Sequence, residues 1–412
     1  MTGIRLKRAV GVALAITVVG VLPPTAVASA TDGAASGTGN AAAAVDRTVD
    51  QATSDGFAAL ADTVLTRRTS ALLDGAQASR RAAALPLTGD VHVTSRVARK
   101  EDAAAAGLLD RKERLASLQE AYTAADTEVA VDEVHVDGGR ATARVTETTM
   151  LTYKKIRGDE PPNTGFQARH ELTFVAGVDG NWQLTGISSL DEGGPAAVNA
   201  VETDPARGSA GSAPAATAEG PIDEGGAPET DGPAPDETRA GTDIPAAPMQ
   251  TKAAARASYN YSAMAKYAEK YWKNYNSSYR KFNDVGGDCT NFISQSLRAG
   301  GWKNDTGWYK SYKNWWYNSS NQTTSWVNVN YWASFALYSD RAYNLDNVYK
   351  LGIGDILQMD FSNNGSKDHS MITTYKSGGV PYLTYHSTNT YRKSVASIVA
   401  SNPRATYYAF RT

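Results

Sequence analysis

The sequence predicts an α+β protein of two domains, and three observations predict it. Each half of the chain opens with helical spacing and continues in strand-like alternation. A long stretch of Ala, Pro, Gly, Asp and Glu, free of aromatics, separates the halves. Seven of the eight tryptophans fall after residue 251, so the two halves have different cores.

The first element is a leader. Arg5, Lys7 and Arg8 form a basic start, Ala9 to Leu22 is apolar, and Ala28-Ser29-Ala30 is a small-residue cleavage site. This predicts a signal peptide over 1–30, removed near Ala30, and a secreted mature protein within reach of the cell wall. No later stretch is apolar enough to span a bilayer. Residues 31–44 are Ala/Gly/Ser/Thr-rich and are expected to be disordered. The chain has one cysteine, which excludes an internal disulfide.

The first domain is expected over 45–192. Helical patterns lie near 46–75 and 107–124. Strand patterns follow at 128–136, 140–153, 168–177 and 181–188, with Asp137-Gly138 and Asp179-Gly180 at the turns between them. Helices followed by an antiparallel sheet resemble, by pattern, the nuclear transport factor-like cone. His92, His135 and His170 are scattered here without an evident acid-base partner, so the domain reads as non-catalytic.

Residues 193–250 are expected to be a disordered acidic spacer, because such a composition buries too little apolar surface to offset ordering entropy. The second domain, 251–412, holds 19 basic and 9 acidic residues, a net charge of +10. Such a surface attracts polyanions such as cell-wall polymers. No nucleic-acid motif is present, and a monomer is expected. The stretch 262–275 has helical spacing, residues 288–299 form a second helix ending at Gly300-Gly301, and strands are predicted at 354–361, 369–375, 380–387 and 405–411.

The cysteine stands in "GGDCTNFISQSL". Asp288 is a good N-cap, which puts Cys289 in the first helical turn, where the dipole and free N–H groups favour a thiolate. Cys289, Phe292, Ile293, Ser296 and Leu297 share a stripe, so a buried structural thiol fits as well as a reactive one. A nucleophile needs a base, and His369 and His386 lie in two consecutive strand patterns. With a four-residue turn from Lys376 to Gly379, Tyr375 opposes Val380 and His369 falls opposite His386 on one face. One imidazole could then take the thiol proton while the other orients it. The same three residues could begin a metal site, but no HxxxH or CxxC spacing supports it, and neither metal nor cofactor is expected.

The stretches "GGDCTNFISQSLRAGGW", "GDILQMDF", "DHSMITTY" and "YHSTNTYRKS", in that order, resemble the putative amidase domain family of exported bacterial papain-like hydrolases. The resemblance covers about 258–412. It implies a papain-like fold with Cys289 as nucleophile, His369 as base and His386 as the orienting third residue, with Asn389 as the alternative. It implies hydrolysis of an amide bond through a thioester, with peptidoglycan stem peptides as the expected substrate class. The Cys289 backbone N–H is one expected oxyanion donor. The competing reading is a non-catalytic wall-binding module whose ligand face is the aromatic set Trp308, Trp315, Trp316, Trp326 and Trp332, although aromatics also build cores.

Overall fold

Asp50 starts the first helix: its carboxylate accepts from the Thr53 backbone N–H at 2.8 Å, and α1 runs Gln51–Ser70. Thr94 does the same for α2, Ser95–Ser117. Strands β1 (Val91–Val93), β2 (Tyr122–Asp137), β3 (Arg140–Tyr153), β4 (Asn163–Ala176) and β5 (Trp182–Ser189) complete the first half. Alternation along β3 sends Ala141, Ala143 and Val145 inward, where they meet Phe57, Leu60 and Val64 of α1. The structure is a computed structural model that describes residues 50–75, 85–87, 89–191, 194–201, 231–245, 259–283 and 288–412. The expected signal peptide, the expected disorder over 31–44 and the glycines Gly286-Gly287 lie outside the described residues.

The second half contains α3 (Tyr261–Tyr271), α4 (Asp288–Ala299), the short α5 (Thr324–Val327), α6 (Val329–Tyr338) and α7 (Val395–Ser401). Its strands are β6 (Tyr343–Leu345), β7 (Ile356–Asp360), β8 (His369–Ser377), β9 (Val380–Tyr385), β10 (Thr390–Ser394) and β11 (Thr406–Arg411). The fold class is therefore mixed α+β. Helix α2 begins earlier than its predicted pattern, and β1, β6, β10 and α7 are too short for periodicity to register.

The two halves share one sheet. Its order is β1-β5-β4-β10-β9-β8-β7-β11-β6, with β3 on the other edge of β4 and β2 outside β3. One edge of β4 is divided: Gly165 and Phe166 pair with β10, and His170 to Ala176 pair with β5. A Cβ on Gly165 would stand 2.3 Å from the Met150 sulfur, so a larger residue at the junction would displace the methionine side chain. Two paired residues contribute only about 0.5–1.5 kcal/mol per hydrogen bond. The greater adhesive is a core that both halves supply: Leu108, Leu115, Tyr122 and Leu151 pack in one cluster with Met371, Leu383 and Tyr385. Each such side chain contributes roughly 1.5–3 kcal/mol on burial. A separate core, of Phe292, Trp315, Trp326, Trp332 and Phe410, lies on the α4 face of the sheet.

The spacer expected over 193–250 is shorter than its composition suggests. Residues 194–201 dock on the first half: Ala196, Val198 and Val201 are buried, and the Asn199 side chain donates to Thr69 and Glu147 at 2.9 and 2.8 Å. Residues 231–245 lie along the second half and pair at Gly241 with Asn347. Composition misses both because their order comes from neighbouring elements: Ala197, Val198, Val201 and Ala240 join the core that the two halves share, and polar contacts hold the rest.

Between the halves lies Glu120, fully buried. It accepts hydrogen bonds from Tyr122 and from Ser394, which belongs to the second half. Loss of hydration pushes its carboxyl up to about 7 from the ordinary 4.5. The folded protein thus holds this proton more tightly than the unfolded chain does. The resulting stability is complete below pH 4.5 and is lost as pH rises through about 7. Glu120→Gln should flatten this dependence: in urea unfolding the wild type should lose stability relative to the variant between pH 5 and pH 8. An unchanged difference across that range would contradict the assignment.

Candidate active site

Helix α4 is buried on nearly every side, from Asp288 to Leu297. It crosses the sheet, with Ile293 and Phe292 packed against Ile372 of β8. Cys289 is its second residue and is 1% exposed. Its sulfur lies 3.7 Å from the Thr290 hydroxyl. The Thr290 and Ser370 hydroxyls are 3.1 Å apart, and Gln358 of β7 donates to Ser370 at 3.1 Å and to the Val329 carbonyl at 3.0 Å. The residues flanking Cys289 and His369 are thus tied to each other. Burial pushes the thiol up from its ordinary value, and the Ser370 N–H and Thr290 hydroxyl only partly oppose it. The thiolate expected from helix position alone is outweighed by desolvation, and the thiol is held neutral.

The hairpin that carries the histidines departs from the expected register. Ser377 opposes Val380, and the turn is the two residues Gly378-Gly379, both left-handed at φ 54° and 81°. Two left-handed residues match the primed turn whose twist suits a hairpin. A register shift between Thr373 and Tyr375 then moves the pairing by one, so that Ile372 opposes Thr384. One residue of slip exchanges faces. His369 and His386 are therefore not opposed, and β9 ends at Tyr385 before His386 is reached. His369 is fully buried at the start of β8, with its ring edge-on to Tyr385 at 5.1 Å.

His386 turns to α4 instead. Its Nδ1 stands 2.5 Å from Asp288 Oδ2 and its Nε2 2.9 Å from the Tyr271 carbonyl oxygen. A carbonyl only accepts, so Nε2 carries hydrogen. The ring is held between Phe292 and Tyr275, centroids 4.0 and 4.1 Å away. With both nitrogens engaged, His386 does not orient His369; it anchors the residue next to the thiol. Asp288 is correspondingly more than a helix start. Its other oxygen accepts from the Phe282 N–H at 3.0 Å and from Asn291 at 3.1 Å. Asn389, the alternative third residue, accepts from Tyr275 and donates to Gln167 at 3.1 and 3.2 Å, away from His369. Sequence reasoning passed over Ser370, Thr290 and Gln358. The one available signal was a glutamine inside an otherwise apolar strand.

The tryptophans divide. Trp315, Trp326 and Trp332 are fully buried and form core with Trp302; Trp308 and Trp316 are half-buried. In the first half, His170 does have a partner: its Nε2 is 3.0 Å from the Glu147 carboxylate, both buried.

The second half is where similarity to known proteins lies. Uncharacterized protein YjcM of Bacillus subtilis (strain 168) is 34% identical over 139 residues, which cover 31% of this chain and 31% of that protein. Uncharacterized protein YhbB of the same organism is 32% identical over 124 residues, covering 29% of this chain and 39% of that protein. The matched region thus spans about a third of each relative. The intermembrane space region of the chloroplast protein ARC6 superposes with a TM-score of 0.23 at 16% identity, covering 35% of this chain and 98% of that one, and it carries no argument here. Residues 258–410, which hold Cys289, Ser370 and both histidines, match the family described as the putative amidase domain, the one that the order of motifs resembles.

Proposed function

We propose that the second half is a cysteine-dependent amide hydrolase with a papain-like arrangement, acting outside the cell on peptide stems of a cell-wall polymer. The observation that carries this is the 3.1 Å contact between the Thr290 and Ser370 hydroxyls, which sets the residue after Cys289 against the residue after His369 at the start of β8. A helix start packed on an antiparallel sheet brings nucleophile and histidine strand together, and the match over 258–410 supplies the reaction class. The charge of +10 over 251–412 and the leader-like N-terminus support an extracellular polyanionic substrate. The helices and antiparallel strands of the first half support a cone-like accessory domain.

In this mechanism the thiol proton moves to the His369 imidazole as the substrate enters. Cys289 sulfur attacks the amide carbonyl, and the oxyanion faces the Cys289 N–H at the helix start. The C–N bond breaks as His369 returns the proton to the leaving nitrogen. Water, losing a proton to His369, then opens the thioester and regenerates the thiol. The N–H of Ser370 stabilises sulfur as it gains charge, offsetting the burial that keeps it neutral at rest.

Incubating the protein with purified cell-wall fragments and identifying new amine ends by mass spectrometry tests the reading. Cys289→Ala should abolish cleavage and His369→Ala should slow it about 10²–10⁴-fold. Cleavage by Cys289→Ala at the wild-type rate would favour the wall-binding alternative. His386 should behave differently. The Asp288–His386 pair is buried, at 1% and 3% side-chain exposure respectively. His386→Ala leaves a buried Asp288 oxygen without its hydrogen-bond partner and should cost about 1–3 kcal/mol in urea unfolding; a loss under about 0.5 kcal/mol would remove its anchoring role.

A further inference from the structure

Residues 231–245 form a strap whose anchors are all supplied by the second half. At its start, Asp231 accepts from the Ser311 hydroxyl and the Tyr312 N–H, each at 2.7 Å, and the Tyr312 hydroxyl donates to the carbonyls of Gly232 and Pro233. In its middle, the Glu237 carboxylate pairs with Lys367. Beyond that, Asn344 and Asn347 donate to the carbonyls of Asp236 and Asp243 at 3.1 Å each, and the Ala240 N–H reaches the Tyr407 carbonyl at 2.8 Å.

Lys367 is built for this. Its backbone is clamped on both sides by the Asn330 side chain, at 3.0 and 3.3 Å. Its ammonium lies over the Tyr408 ring at 5.1 Å. The side chain is 4% exposed, so its charge needs a carboxylate partner. It precedes His369 by two residues. The strap, by contrast, is lightly held. Only Ala240 is buried, most of the rest is exposed, and apart from the Glu237–Lys367 pair the anchors are hydrogen bonds whose net strength is modest. Four acidic residues and Arg239 give it a net charge of −3, against a second half at +10.

We infer that the face formed by Tyr312, Lys367, Asn344 and Asn347 is a recognition channel for an extended acidic peptide, which residues 231–245 occupy in cis. Side-chain amides and backbone groups read an extended main chain, and Lys367 reads a carboxylate. This rests on the hydrolase reading in one respect: Lys367 stands two residues before the proposed base in the chain, so an acidic peptide segment of the substrate displaces the strap as it binds.

The test uses the full chain carrying Cys289→Ala, so that binding is read without cleavage. The probe is a fluorescein-labelled synthetic peptide with the sequence of residues 231–245, followed by anisotropy. Asp231→Asn with Glu237→Gln loosens the strap, and the probe should then bind at least tenfold more tightly than to the chain with its strap intact. Adding Lys367→Met should reverse that gain, with a thermal melt confirming that the chain is folded. A probe with glutamine in place of its own Glu237 equivalent should bind about as poorly. Equal affinity for the intact and loosened chains, or binding indifferent to Lys367→Met in a folded chain, overturns the channel. Binding as expected, with no cleavage of cell-wall fragments by the Cys289-containing chain, would leave the channel standing and remove the hydrolase reading alone.

Discussion

The contact between Asp288 and His386 is the constraint on which the site depends. It joins the residue before the thiol to the chain just past β9, and the Tyr271 carbonyl closes it from α3. One carboxylate therefore sets where α4 begins relative to the sheet. With α4 so placed, Cys289 meets β8 at its edge, and Thr290 meets Ser370. A buried pair of this kind is weak evidence for stability but strong evidence for a specified position, because either partner alone would be costly. The stacked rings of Phe292 and Tyr275 exclude water from it.

Around this pair the two described halves share one sheet and one core. The sheet runs from β1 to β6 through the β4–β10 junction, and the core cluster below it draws side chains from both halves. Loss of the first half would expose Met371, Leu383 and Tyr385, which lie on the strands that carry or adjoin His369. The accessory half thus supports the histidine strand from behind while α4 covers its front. Glu120 adds a buried carboxyl to the same seam, its proton held more tightly than in the unfolded chain.

Much of the organisation was legible in the sequence. Long amphipathic strands such as β3 and β4 alternate cleanly, since one face is core and the other is not. The helix 288–299 was legible from its apolar stripe and its Gly300-Gly301 stop, and the candidate residues Cys289 and His369 from residue type and motif order. The role of His386 was not legible. It depends on a two-residue turn at Gly378-Gly379 and a shift at Thr373/Tyr375, and a single slip exchanges the faces of a strand. Gly-Gly was a turn signal in plain view, but the shift that follows it has no local signature. The docked segments 194–201 and 231–245 were hidden for another reason. Their order comes from partners distant in sequence but near in space: 52 residues separate Asn199 from Glu147 and 130 separate Glu237 from Lys367.

By itself the sequence determined the α+β class, the single thiol at a helix start, the basic aromatic second half and the likeness to an amidase domain. These follow from periodicity, composition and motif order, which are local properties. Only the tertiary structure decided which groups touch the thiol, that His386 serves Asp288, that the halves share one sheet, and that part of an apparent spacer lies along the second half and pairs with Lys367. Those are outcomes of strand register and of competition among long-range partners, and the free energy that selects them is spread over residues far apart in the chain.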